Sequence, residues 1–201
     1  MTKDLIGIAV LSLFAGVALA GPSTFAEIGY ISGGKNGENG DGSEDGFEAA
    51  GAFRLGEVWY VGGAIGTYDR DEAELENDYL NLAVGAAIGL TPKTDFIGEV
   101  GLWLGEQDNP HGDPDSDPKA IELKTGVSHA VTDNFSLGGT ISLVGGDTDQ
   151  PGDDDLRNFV WSAGGAYAFT PNFSVSLKLV EGSNGVNGQS DVVRLGARWT
   201  F

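Results

Sequence analysis

The chain contains no cysteine. That absence excludes disulfides, thiolate metal centres and anchoring through a lipidated N-terminal cysteine. Histidine is nearly missing, with only His111 and His129. Basic residues are scarce as well: 11 Lys and Arg against 30 Asp and Glu leave a net charge of −19. A surface of that sign repels phosphate, so nucleic acid is excluded as a partner. Beyond residue 20 there is no apolar run near the ~20 residues that a helical membrane span requires. Glycine, by contrast, is abundant at 33 residues, without the three-residue period of collagen.

The first twenty residues stand apart. Lys3 supplies a positive start that Asp4 offsets, and Leu5 to Val17 form a short apolar core. Ala18-Leu19-Ala20 is a small-x-small cleavage site ahead of Gly21-Pro22. The pattern predicts a signal peptide over residues 1–20 and one exported domain over residues 21–201.

Within that domain the pattern has period two. Phe47, Ala49, Gly51, Phe53 and Leu55 share one parity, as do Leu80, Leu82, Val84, Ala86, Ile88 and Leu90. Ile121, Leu123, Thr125 and Val127 repeat it, and Val193, Leu195, Ala197, Trp199 and Phe201 close the chain. Alternation over this length predicts strands with one apolar face. Ten are expected, most of about 9–12 residues, near the length of a tilted membrane strand. Tight turns at Gly56-Glu57, Thr91–Thr94, Thr132–Asn134 and Thr170–Asn172 alternate with polar stretches at 33–46, 69–78, 105–119, 145–158 and 181–191. Short turns at one end and long loops at the other predict an up-and-down membrane barrel. Thr91, Thr132 and Thr170 each follow a glycine by six residues (Gly85, Gly126, Gly164), which suggests one hairpin unit used repeatedly.

A soluble sandwich would alternate too, but its outer face would carry long polar side chains. Here the apolar face holds no charge, and its aromatics gather near strand ends, as in interfacial girdles. The opposite face is mostly Gly, Ala, Ser and Thr, which suits a crowded lumen. By parity that lumen receives Glu27, Glu48, Glu99 and Glu122, with Arg54, Lys124, Lys178, Arg194 and Arg198. Five bases against four acids nearly cancel, so the acidity falls in the loops. Confined charges are costly unless paired or wet. A cluster of Arg198, Glu27 and Arg54 is therefore expected at the turn end, with Lys178 and Arg194 higher, near Glu48 or Glu99.

On these features the chain resembles the small Gram-negative outer-membrane β-barrel proteins of the OmpA/OmpX-like class. The ending Val193-x-Leu195-x-Ala197-x-Trp199-x-Phe201 looks like the signal read by the barrel-assembly machinery, with Trp199 and Phe201 as its carriers. The resemblance implies an all-β, transmembrane, antiparallel barrel in outer-membrane lipid. Eight strands are usual in the class at this size and form the alternative to ten. Members include adhesins, structural proteins, narrow pores and a few enzymes, so the fold does not select a function. The two surviving readings are a filled, charge-paired barrel with a structural or surface-interaction role, and a narrow porin-like channel preferring cations.

An enzyme is not expected, because neither histidine has a recognisable partner and no active-site pattern of the class's enzymes is present. No cofactor is expected either. Asp41-Gly42-Ser43-Glu44-Asp45-Gly46 opens like a calcium-binding EF-hand loop, but Ala52 stands where the twelfth-position glutamate belongs. Asp113, Asp115 and Asp117, and Asp153, Asp154 and Asp155, offer hard oxygen ligands for weak Ca²⁺ or Mg²⁺ binding. Hydrated acidic loops are the plainer expectation.

Overall fold

The computed structural model describes residues 23–34, 43–70, 75–108, 119–147, 156–184 and 188–201. The expected signal peptide lies outside them. Ten strands follow in chain order: β1 (Phe25–Gly34), β2 (Ser43–Leu55), β3 (Trp59–Arg70), β4 (Leu75–Thr91), β5 (Thr94–Asp108), β6 (Lys119–Ala130), β7 (Phe135–Asp147), β8 (Leu156–Thr170), β9 (Phe173–Asn184) and β10 (Gly188–Thr200). Each pairs antiparallel with its sequence neighbours, and β1 pairs with β10 to close the barrel. Closure removes every free sheet edge, so each strand's backbone groups meet a neighbour rather than lipid. The seam aligns Phe25 with Thr200 and Glu27 with Arg198, and the Phe201 amide donates to the Thr24 carbonyl at 2.9 Å. Both barrel termini therefore lie at the turn end.

The repeated threonines have a physical role there. Thr132 Oγ1 accepts from the amides of Asn134 (3.3 Å) and Phe135 (3.0 Å), and Thr170 Oγ1 from those of Asn172 (3.3 Å) and Phe173 (3.0 Å). Thr91 Oγ1 accepts from the Lys93 amide at 3.2 Å. A threonine hydroxyl replaces a backbone acceptor in each turn, so one sequence solution recurs. The β2–β3 turn is different: Gly56 takes φ +76°, the left-handed region that glycine enters without a Cβ clash.

The strands run further from the turn end than hydropathy indicates. β4 spans 17 residues and β5 15, and Ser43–Gly46, expected in a loop, pairs with Ile31–Gly34. Ladder hydrogen bonds do not need apolar side chains, so pairing continues where the lipid-facing alternation has ended. The same pairing corrects the EF-hand-like reading. Residues 43–52 belong to a strand, and Asp45 accepts a hydrogen bond from the Tyr30 hydroxyl at 2.8 Å.

The two faces differ as the alternation predicts. Ile28 is 68% exposed and Phe53 58%, in a belt with Leu82, Val84, Ile121, Leu123, Leu177 and Leu195. So continuous an apolar surface is untenable in water and fits hydrocarbon. Rings of Tyr167, Phe169, Phe173 and Trp199 touch in sequence at centroid distances of 5.0, 6.0 and 4.6 Å around the turn end. Tyr30 meets Phe47 at 5.3 Å towards the other end.

Candidate functional site

The lumen is the candidate site, because its side chains converge there from all ten strands. Among the described residues eight charged ones are buried in it: Glu27, Glu48, Glu99 and Glu122, with Lys124, Lys178, Arg194 and Arg198. Four acids and four bases sum to zero. They fall into two clusters.

The first cluster spans the seam on β1, β2, β9 and β10. Arg198 holds Glu27, with Nε donating to Oε2 at 2.6 Å and Nη2 2.5 Å from the same oxygen. Its guanidinium also lies 3.9 Å from the centroid of the Phe25 ring. Arg194 bridges Glu27, at 2.9 Å from Oε1, and Glu48. The Tyr79 hydroxyl donates to Glu48 Oε2 at 2.5 Å. Lys178 is buried beside Arg194, its register partner.

The second cluster lies across β5 and β6. Lys124 sits 2.5 Å from Glu99 Oε1 and 3.5 Å from Glu122 Oε2. Neutral donors complete it: the Tyr60 hydroxyl to Glu99 Oε2 at 2.9 Å, and Trp103 Nε1 to Glu122 Oε2 at 3.0 Å. Glycines on neighbouring strands make room for such large side chains. Gly85 and Gly66 are the register partners of Tyr60 and Tyr79. A Cβ on either glycine would lie within 2.7 Å of that tyrosine's ring.

Arg54 departs from the expected cluster. Its parity matches that of the buried Glu48 and Ala50, but it is exposed at the turn end. There its Nε donates to the Gly56 carbonyl at 2.6 Å and its Nη2 to that of Glu57 at 3.2 Å. Glu27 is aligned with Ala50, four residues away, or about 13 Å along a strand at ~3.3 Å per residue. Parity fixes the face of a strand but not the depth in the barrel.

Sequence reasoning missed an apolar layer in the lumen. Ile31, Ala50, Ala64, Tyr68, Tyr79, Trp103, Ala120, Val144, Val160, Val180 and Val192 form one buried cluster, with at least one residue from every strand. On β1, β5, β6, β9 and β10 the apolar residue lies farther from the turn end than the charged one. On β2, Ala50 lies nearer the turn end than Glu48. A signal for this layer was present in adjacent apolar pairs that break alternation: Tyr30-Ile31, Leu143-Val144, Val160-Trp161, Leu179-Val180 and Val192-Val193. Where both parities are apolar together, one residue faces lipid and the other fills the barrel.

His129 lies outside, on the lipid-facing parity, with Nδ1 2.9 Å from Thr94 Oγ1. Among the described residues no group of three or more His, Asp or Glu is placed to hold a metal ion. His111, Asp113, Asp115, Asp117, Asp153, Asp154 and Asp155 lie outside those residues.

A closed antiparallel ten-strand barrel with a lipid-facing belt and a packed polar interior defines the outer-membrane β-barrel fold. Solved structures agree. An outer membrane channel from Pseudomonas putida F1 superposes with a TM-score of 0.61 over 94% of this chain and 100% of that one, at 11% identity. A bacterial polysaccharide outer membrane secretin gives a TM-score of 0.50 over 80% of this chain and 57% of that one, at 12% identity. No family model matches the chain, and no curated protein matches it by sequence.

Proposed function

We propose that the protein is an integral outer-membrane barrel whose lumen is filled and charge-paired, and that it acts as a structural or surface-interaction protein. The apolar layer carries this reading. Ten strands enclose more space than the eight that side chains just fill, and here Tyr68, Tyr79, Trp103 and a run of valines occupy the excess. An ion crossing this layer would shed water without gaining a partner. The C-terminal strand, with Trp199 and Phe201, serves as the assembly signal. The acidic segments Asp113–Asp117 and Asp153–Asp155 gather divalent cations weakly through their carboxylates; unchanged loop resonances at millimolar calcium would remove that part.

A second reading, a narrow cation-preferring channel, is favoured by the end-to-end match to the Pseudomonas putida protein described as an outer membrane channel. Planar-bilayer recording of refolded residues 21–201 separates the two. A silent bilayer, with folding shown by heat-modifiable gel mobility, is the expected result. Discrete openings that reverse at the cation potential would replace the filled barrel with the channel.

A further inference from the structure

A shallow, open groove of about 840 Å³ is cut into the outer surface of the barrel across β6–β9. Ala163 and Gly165 form its floor on β8, and Leu137, Leu177 and Leu179 rise on the strands either side. The register sets Leu137 and Leu177 beside Gly165, and Leu179 beside Ala163. All five lie on the lipid-facing parity, so a residue with one methyl or none leaves a hollow between leucine ridges. At the turn-end margin stands His129, the register partner of Leu137. His129 is one residue from the end of β6 and Gly165 five from the end of β8, so the groove climbs from the rim into the belt. From β6 to β9 it crosses three strand spacings, about 14 Å at ~4.8 Å each, close to half of the ~30 Å hydrocarbon core.

Hydrogen bonds fix the His129 tautomer. The Lys93 amide donates to Thr91 Oγ1 at 3.2 Å, and the Thr91 hydroxyl donates to Thr94 Oγ1 at 3.0 Å. The Thr94 hydrogen is left for His129 Nδ1, at 2.9 Å. Nδ1 therefore accepts, and the ring carries its proton on Nε2. His129 is exposed on the lipid-facing side, so this N–H meets the membrane and needs an acceptor there.

We propose that the groove binds one glycerophospholipid of the leaflet that the short turns meet. One acyl chain lies along Gly165 and Ala163, and an ester or phosphate oxygen accepts from His129 Nε2. The groove continues the apolar belt, so hydrocarbon and not water covers it. A chain lying in the hollow gains dispersion contacts that an empty one forfeits. The site rests on the membrane-spanning fold and stands whether the lumen is filled or conducts.

The test is native mass spectrometry of refolded residues 21–201 in detergent micelles containing palmitoyl-oleoyl-phosphatidylethanolamine, with folding checked by heat-modifiable gel mobility. One phospholipid per barrel should persist after the micelle is stripped. Ala163→Phe sets a ring in the groove and should abolish that retention. Ile65→Phe puts the same ring on the exposed, lipid-facing side of β3 and should leave retention unchanged. His129→Leu loses one hydrogen bond and should weaken retention about fivefold. Each variant keeps an apolar side chain towards lipid, so folding is expected throughout. The absence of a retained phospholipid would overturn the proposal. So would equal retention by Ala163→Phe and Ile65→Phe, or full retention by His129→Leu.

Discussion

The two charged clusters in the lumen solve one problem with opposite surpluses. At the seam, two arginines and a lysine meet two carboxylates, and a donor, Arg194 Nε, is left over. Across β5 and β6 a single lysine serves two carboxylates, and an acceptor, Glu122 Oε1, is left over. Where cations are short, Tyr60 and Trp103 supply neutral hydrogen bonds instead. Among the described residues the buried charges thus balance over the lumen but not within either cluster. The redundancy differs accordingly: Glu27 has two guanidinium partners, whereas Glu99 and Glu122 share one ammonium.

This difference sets an order of mutational cost. Lys124→Met removes the cation that bridges two buried carboxylates and should destabilise most, by about 3–5 kcal/mol, read from urea-induced unfolding in detergent. Arg198→Met leaves Glu27 its contact with Arg194 and should cost roughly half as much. Equal losses in the two variants would mean that the second arginine provides no cover. Tyr60→Phe deletes one hydrogen bond to a charged acceptor, worth ~1.5 kcal/mol; tryptophan fluorescence during unfolding would show it, and no change would mean that Lys124 alone satisfies Glu99. Arg54→Ala touches neither cluster and should shift stability by less than ~0.5 kcal/mol. A larger loss would return Arg54 to the network from which its exposed position removes it.

Much of the barrel was legible because lipid imposes a strict rule. Every second residue of a spanning strand must be apolar, so Leu82, Val84, Leu123 and Leu195 could be assigned outward from spacing alone. The buried charges were legible for the complementary reason: parity turned them inward, and only pairing makes such burial tolerable. Depth was not legible. Arg54 shares a parity with Glu48 yet ends at the rim, because the register between strands, and not the sequence of one strand, fixes height. Strand length was underestimated for a related reason. Beyond the lipid belt the backbone goes on pairing while the side chains no longer report it, as Ser43–Gly46 shows. The apolar layer escaped because Val144, Val180 and Val192 each sit beside a lipid-facing residue and were absorbed into its pattern.

The ion pair between Glu27 and Arg198 joins residues 171 positions apart across the interface that closes the barrel. Strands can slide by two residues without turning a side chain to the wrong face. At this seam such a slip would set Glu27 opposite Gly196 or Thr200, and Arg198 opposite Gly29 or Phe25, leaving each charge facing an uncharged residue. The first and last strands therefore carry a lock and key for their own alignment, and a misthreaded ring is penalised at the moment of closing.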